Sequence, residues 1–527
     1  MERIYGQADT VWVWLGKPKN EEDEETNRMA FAKIKYFRER VRVLQKTSDH
    51  YQPWWWPTPP PTDKSLFDAP GSMTYKAWLG IVSMWNSRWW ARTWIYQEST
   101  LDDKPNHFFG IRGAQIRPTV KFLSGDQETS WPELNAAYNI AVAIVSTPGL
   151  GSEFLRGSFD RYSKLALFRQ YRTHHVLGSL LEVLQIFRHE CADVRDKVYA
   201  PLGLLPADVS RRIVPDYAGK THRDVHTDVT EYYLTKPGQP LDFLGYTMHR
   251  GGAQASTIQG HTSAFPSWLP DFSHSLDIVP IPKILHVPTN TYRRSRRLDW
   301  KRLSVLELDN TFGMPVTLVP TYRPLGGIPP VSFIVSDMLH VRGARIDRLK
   351  DFIPNTGPEL DRVRAVAREK GRKWAIESQH KYRLGGTYAE VIQRTIVLDL
   401  VYDELGRPAR RGGSYDSTLR HKPRAECTPV ELRAQLDGRI ASIRASSCRD
   451  LGLSEKLFLV MSPNTAMVGD TIWALTGGQA LYVLRPVDVE SRRYIFIGEC
   501  YAHGLMDGEV VKMLQRKEAR LEDIVLI

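Results

Sequence analysis

The chain has 527 residues but only 4 Cys (Cys191, Cys427, Cys448 and Cys500). Their spacing leaves no C-x-x-C zinc or redox pair, and four cysteines cannot staple a chain this long. No basic segment followed by an apolar run opens the chain, so no secretory signal is expected. The longest apolar stretch, around Ala136 to Val145, is about half of the ~20 residues that a spanning helix needs. These absences predict a reduced, soluble, intracellular and cytoplasmic protein without a membrane span. The common catalytic signatures are missing too. There is no phosphate-cradling G-x-x-x-x-G-K-[ST], no dinucleotide G-x-G-x-x-G after a strand, no H-E-x-x-H and no G-x-S-x-G, which disfavours P-loop, zincin and α/β-hydrolase chemistry. His503 has no companion at ligand spacing, so no metal site is expected.

What is present is an ordinary globular composition, 42% hydrophobic and 25% charged, which excludes wholesale disorder. The length predicts more than one domain. Of 15 Trp, ten precede residue 95, so the front of the chain packs differently from the rest. The net charge of +11 invites a polyanion partner. Its excess, however, sits in Arg293, Arg294, Arg296, Arg297, Lys301 and Arg302, and again in Arg410, Arg411, Arg420, Lys422 and Arg424. Neither cluster has a helical period, and both read as solvated loop rather than a phosphate-binding face, so nucleic acid is not the expected partner.

Met1, Ile4, Tyr5 and Ala8 form one apolar helix face that begins without a capping residue. Thr10 to Gly16 is apolar on both alternate faces, which predicts a strand buried on two sides, as in a parallel sheet. Asn20 to Lys46 predicts a helix with an acidic start, a basic end and a buried stripe of Ala30, Ile34, Phe37, Val41 and Leu44. Prolines break Ser48 to Gly71 into loop; its Trp54 to Trp56 run covers a core edge or takes a proline-rich or carbohydrate partner. Helices are expected at Ser72 to Asn86, Trp131 to Val145, Ser163 to Ala192, Thr221 to Leu234, Leu360 to Glu377, Thr387 to Glu404 and Pro429 to Arg444. A strand is expected near His107 to Ile111, and a loop-rich stretch over 251–335. Short β runs follow at Lys456 to Met461, Thr471 to Leu475, Ala480 to Leu484 and Tyr494 to Glu499.

Two blocks carry a resemblance. Met1-Glu-Arg-Ile-Tyr-Gly-Gln-Ala8 with Val11, Val13, Trp14, Leu15 and Gly16 resembles the M-x-x-I-Y-x-x-A-x-x-V-x-V-W-L-G block of fungal heterokaryon incompatibility (HET) domains. Ser87-Arg-Trp-Trp-Ala-Arg-Thr-Trp-Ile-Tyr-Gln-Glu98 resembles that family's R-P-W-F-x-R-x-W-x-x-Q-E block, with Ser87 and Arg88 in place of Arg-Pro. Arg195-Asp-Lys-Val-Tyr199, Pro215-Asp-Tyr217, Pro266-Ser-Trp-Leu-Pro-Asp271, Gly469-Asp470 and Tyr501 to Glu509 look like the regions that follow the domain in long members. Two blocks that precede the Met-Ile-Tyr motif in the family, a Tyr-x-Trp-Gly turn and an Ile-Asp-x-x-Cys segment, are not in this sequence. With the uncapped start, that predicts a HET domain truncated at its beginning.

The resemblance implies fungal non-self recognition leading to programmed cell death, and a distant likeness to Toll/interleukin-1 receptor (TIR) domains, some of which cleave NAD. NAD would then be a substrate; no cofactor is assigned. Glu98 is the implied catalytic carboxylate, stabilising an oxocarbenium-like transition state. Arg92 and Gln97 would fix a phosphate or amide, and Trp94 would stack on the nicotinamide. The competing account makes Arg92 and Glu98 a structural ion pair at a strand edge, Trp90 and Trp94 core, and Gln97 a backbone clamp. Arg195 and Asp196 read as a helix-terminus salt bridge, and Asp507 to Glu509 as a turn. The alternative function is a non-enzymatic module that self-associates or binds other incompatibility or signalling proteins, or an inactive remnant. The expected architecture is α+β: a partial, TIR-like α/β HET domain (1–125), a helical region (126–250), a loop-rich and helical region with a basic linker (251–450) and a small β-rich C-terminal domain (451–527).

Overall fold

The computed structural model describes residues 8–47, 73–100, 119–145, 161–162, 165–166, 180–186, 190–205, 207–236, 240–247, 265–273, 280–281, 322, 324–353, 374, 382–383, 385, 387–396, 398, 400–402, 408–410, 448–488 and 490–527. The chain divides into two compact units, Met1–Tyr217 and Ala218–Ile527. It is an α+β protein. Among the described residues no helix is long and apolar enough to cross a membrane. The expected first helix, the Trp54 to Trp56 loop, the strand near 107–111, most of the 163–192 helix, the helices at 360–377 and 429–444 and the basic clusters lie largely or wholly outside the described residues.

In the first unit, β1 (Thr10–Trp14) leads to helix α1 (Glu21–Thr47) and helix α2 (Met73–Trp85). A 3-10 turn (Arg88–Ala91) and the short α3 (Ile95–Thr100) follow. Then come β2 (Thr119–Ser124), β3 (Gln127–Ser130) and α4 (Trp131–Val145). β1 runs parallel to β2, with Thr10 opposite Thr119, and β3 folds back antiparallel on β2. The two-sided burial expected for β1 is not found. Val11 and Val13 are buried, but Trp12 and Trp14 are 53% and 50% exposed. Among the described residues the helices pack on the face that carries Val11 and Val13, so the strand alternates inward and outward despite its uniformly apolar sequence.

The α1 stripe forms as expected at Ala30, Ile34 and Phe37, joined by Phe31. Gly80 of α2 lets the two helices close up: a Cβ there would sit 2.7 Å from the Cβ of Ala30. Among the described residues, four of the seven front-loaded tryptophans are core. Trp78, Trp85, Trp89 and Trp90 are buried, and Trp90 stacks on Phe122 with ring centres 5.4 Å apart. The unit continues through α5 (Leu180–Ile186), α6 (Asp196–Tyr199), a 3-10 turn (Leu202–Leu204) and α7 (Ala207–Arg212).

The second unit opens with α8 (His222–Leu234), whose N-cap Thr221 exchanges hydrogen bonds with Asp224 in a capping box. β4 (Ser332–Val335) and β5 (Met338–Ile353) follow. Next are α9 (Tyr388–Ile396), the hairpin β6 (Leu400–Tyr402) and β7 (Pro408–Arg410), and β8 (Arg449–Ser454). Then come β9 (Leu459–Pro463), β10 (Thr471–Leu475), β11 (Leu481–Asp488) and β12 (Arg493–Ala502). The chain ends with α10 (Glu509–Gln515) and β13 (Leu521–Leu526).

β5 pairs β8, β8 pairs β9, β9 pairs β12, β12 pairs β11, β11 pairs β10 and β10 returns to β5, which closes the sheet on itself. Closure leaves these strands without an open edge. β13 lies between β5 and β12. One expectation is corrected here: the helix expected over Thr387 to Glu404 ends at Ile396, with a strand beginning at Leu400. The stretch 251–335, described only in part, ends in β4. The sheet also recruits residues 332–353 and runs through position 450 within β8.

Candidate functional site

The segment Ser87 to Glu98 is a sequence of short turns, and its geometry follows from side chains that cap them. Ser87 Oγ donates to the Leu15 carbonyl (3.0 Å) at the end of β1 and accepts from Trp89 N, which starts the 3-10 turn. Arg92 ends that turn in an extended conformation and forms an isolated parallel bridge with Glu190. The chain then re-coils into α3, and this reversal brings Glu98 back over Trp89.

Glu98 is buried, and both its oxygens are occupied. Oε2 accepts the Trp89 indole N–H at 3.0 Å and Oε1 accepts Arg92 Nη2 at 3.0 Å. The Arg92 side chain is 54% exposed against 8% for Glu98. Solvent therefore screens the outer side of the pair, while the indole contact lies in the dry interior.

Of the four residues singled out from the sequence, Arg92 and Glu98 meet each other. Trp94 and Gln97 instead reach a segment about a hundred positions downstream. Trp94 Nε1 donates to Asp196 Oδ2 (3.1 Å), and Gln97 Nε2 donates to the Ala200 carbonyl (2.6 Å). The ion pair and the backbone clamp thus form, but between turns and helix, not at a strand edge. Trp94 is half-buried, whereas Trp90 is fully buried with its indole N–H donated to the Met84 carbonyl (2.7 Å).

The expected Arg195–Asp196 bridge does not form. Arg195 grips Asp193 (Nη2 to Oδ2 2.7 Å), a contact that holds the Asp193 carboxyl below the usual range. Asp196 is left to Trp94 and to the Tyr217 hydroxyl, 2.6 Å from Oδ1. Burial, followed by that carboxylate, pushes the Tyr217 phenol up. Trp89, Glu190, Asp196 and Tyr217 are the members that sequence reasoning did not connect to Glu98. Asp196 and Tyr217 did lie in recognised motifs, but nothing local pairs them with Trp94.

The other motifs, and Glu499 outside them, make structural joints. Glu499 is buried and accepts Ile281 N (2.8 Å). Ser267 N donates to the Ile527 carbonyl (3.0 Å), and Ser267 Oγ contacts the same oxygen. Asp470 is bound by Arg485 through Nε and Nη2, each 2.9 Å away. Asp507 N donates to Glu509 Oε2 (2.7 Å), which makes the expected turn the entry to α10. Among the described residues no group of His, Cys, Asp or Glu has metal-binding geometry.

These features define a class. The family described as heterokaryon incompatibility protein (HET) matches residues 1–98, ending on Glu98. The Het-6 beta-barrel domain matches residues 420–521, a range that includes β8 to β12 of the closed sheet; β5 adds a strand from outside the matched segment. The resemblance drawn from the sequence is borne out: the chain carries a HET segment at its front and a Het-6 barrel segment toward its end. At the level of individual proteins, it is similar to heterokaryon incompatibility protein 6, OR allele, of Neurospora crassa. The two are 22% identical over 578 aligned positions, which take in 98% of this chain and 79% of that protein. No solved structure matches the chain.

Proposed function

We propose that this protein is a heterokaryon incompatibility factor, acting in fungal non-self recognition and the cell death that follows, with the Ser87 to Glu98 segment as its working part. The observation that carries this is the similarity to an incompatibility protein along almost the whole chain. The geometry favours signalling through protein contact, by self-association or with other incompatibility proteins in the cytoplasm. Each of the four residues singled out is held by a hydrogen bond: Glu98 by Trp89 and Arg92, Trp94 by Asp196, Gln97 by Ala200. Regulated expression of the chain in a fungal strain of opposite compatibility should arrest growth, and undisturbed growth at full expression would overturn the proposal.

One observation favours a second reading, a TIR-like front that cleaves NAD. Arg92 is anchored through Nη2 while more than half of its side chain faces solvent. The rest of its guanidinium fork could take a phosphate, with Glu98 beside it as the carboxylate that stabilises the oxocarbenium. Nicotinamide release from NAD by the purified chain, lost in Glu98→Ala, is the expected result on that reading. Equal background turnover in both proteins would remove it.

A further inference from the structure

We propose that residues 190–217 form a strap closed over the Arg92 to Glu98 segment, with Asp196 as its fastening, and that the arrangement described is the closed, resting form. The strap is tied at three levels by polar contacts. At its start, Thr93 N donates to the Glu190 carbonyl (2.9 Å), Thr93 Oγ1 reaches the same oxygen (3.1 Å), and Glu190 N returns a bond to Ala91. In the middle stands Asp196 with Trp94, and beyond it Ala200 with Gln97.

Asp196 is the point where the outside of the strap is coupled to the segment beneath. One oxygen holds Trp94 and the other holds Tyr217, which is 46% exposed. Arg195 backs this contact: its guanidinium lies 5.1 Å from the Tyr217 ring centre and donates to the Tyr217 carbonyl. Whatever displaces Tyr217 at the surface therefore frees a carboxylate that fixes Trp94.

The strap also has an apolar hold: Leu204 and Leu205 pack with the main apolar cluster of the unit, and Val198, Tyr199, Ala200 and Leu202 are buried. Opening that breaks only the polar ties at residues 190–200 is a local opening, below the global unfolding free energy. Gln97 Oε1, moreover, is buried without a hydrogen-bond partner. Turning the amide round would set that oxygen against the Ala200 carbonyl, so the closed form fixes the mismatch. A buried acceptor without a donor penalises the closed state, and opening would hydrate it.

The meaning of the strap for signalling rests on the reading of Arg92 to Glu98 as the working segment; the fastening itself does not. Hydrogen exchange on the full chain tests it. In Asp196→Ala the amides of residues 93–99 should exchange about tenfold faster, the low end for losing a hydrogen bond to a charged group, while those of α4 stay as in the parent. Tyr217→Phe, which removes one hydroxyl, should accelerate the same amides by a smaller factor, and it carries the test if Asp196→Ala does not fold. Unchanged exchange at 93–99 would overturn the strap, as would equal acceleration in α4, because that marks general destabilisation. A lack of NAD turnover would leave the exchange result intact, so the two ideas fail separately.

Discussion

Glu98→Ala separates the two sides of the clamp. Removing the carboxylate leaves the Trp89 indole N–H, now 3.0 Å from its acceptor, without a partner in a site where Trp89 is 7% exposed. An unsatisfied buried donor costs about 1–3 kcal/mol. The Arg92 contact adds less, about 0.2–1 kcal/mol, because solvent screens a pair with one member this exposed. Loss of the packed methylenes brings the expected total to about 2–4 kcal/mol. For a unit of this size each kcal/mol lowers the midpoint by about 2–4 °C, so the first unit should melt about 5–15 °C earlier.

Arg92→Ala removes only the screened side and should cost no more than about 1 kcal/mol. The assay is thermal unfolding of the full chain with exchange protection in α4 as the reporter of the first unit, since a chain of two units need not unfold in one step. The ordering is the decisive quantity. If Arg92→Ala costs as much as Glu98→Ala, the ion pair and not the indole bond holds the segment. If Glu98→Ala is neutral, Glu98 is no clamp, and its burial needs another explanation.

Three further outcomes follow from named contacts. Burial alone would raise the Glu133 pKa, but bonds from Ser130 N and Oγ and from Thr129 Oγ1 outweigh it and hold the carboxyl below the usual glutamate range. A depressed folded pKa gives stability that is present above the unfolded value and lost as pH falls through the folded one. Acidification below about pH 4.5 should therefore weaken the first unit less steeply in Glu133→Gln than in the parent; parallel pH curves would refute this. In the second unit, a Cβ on Gly245 would lie 2.7 Å from Glu499 Oε1 and 2.9 Å from Pro280 Cβ. Gly245→Ala should thus cost about 1–3 kcal/mol in the melting of that unit, and an unchanged midpoint would show the contact to be loose. On β1, Val13→Ala should cost about 1–3 kcal/mol. Trp12→Ala, whose ring is exposed and lies 4.9 Å from Lys121 Nζ, should stay within about 1 kcal/mol. Equal losses in denaturant midpoints would restore two-sided burial.

What could be read from the sequence depended on whether a local pattern stayed in phase. α1 was legible because its acidic first turn and apolar stripe repeat without interruption, and α4 because Trp131 to Val145 is apolar between turn signals. β5 escaped although it is a 16-residue strand. Its pairing shifts register opposite Ile472/Trp473 and again between Leu349 and Asp351, and each shift breaks the period-two alternation by which strands are recognised. Arg345 and Arg348, an odd number of positions apart, are accordingly both exposed. β1 misled for the opposite reason: its apolar run is uninterrupted, yet which face the helices cover is decided by the fold and not by the strand. The site divides along the same line. Arg92 and Glu98 are close in sequence and were paired from it. Asp196 and Trp94 lie 102 positions apart, and a hydrogen bond at that range leaves no periodic trace, so the fastening becomes visible only once residues 190–217 are seen lying along the segment.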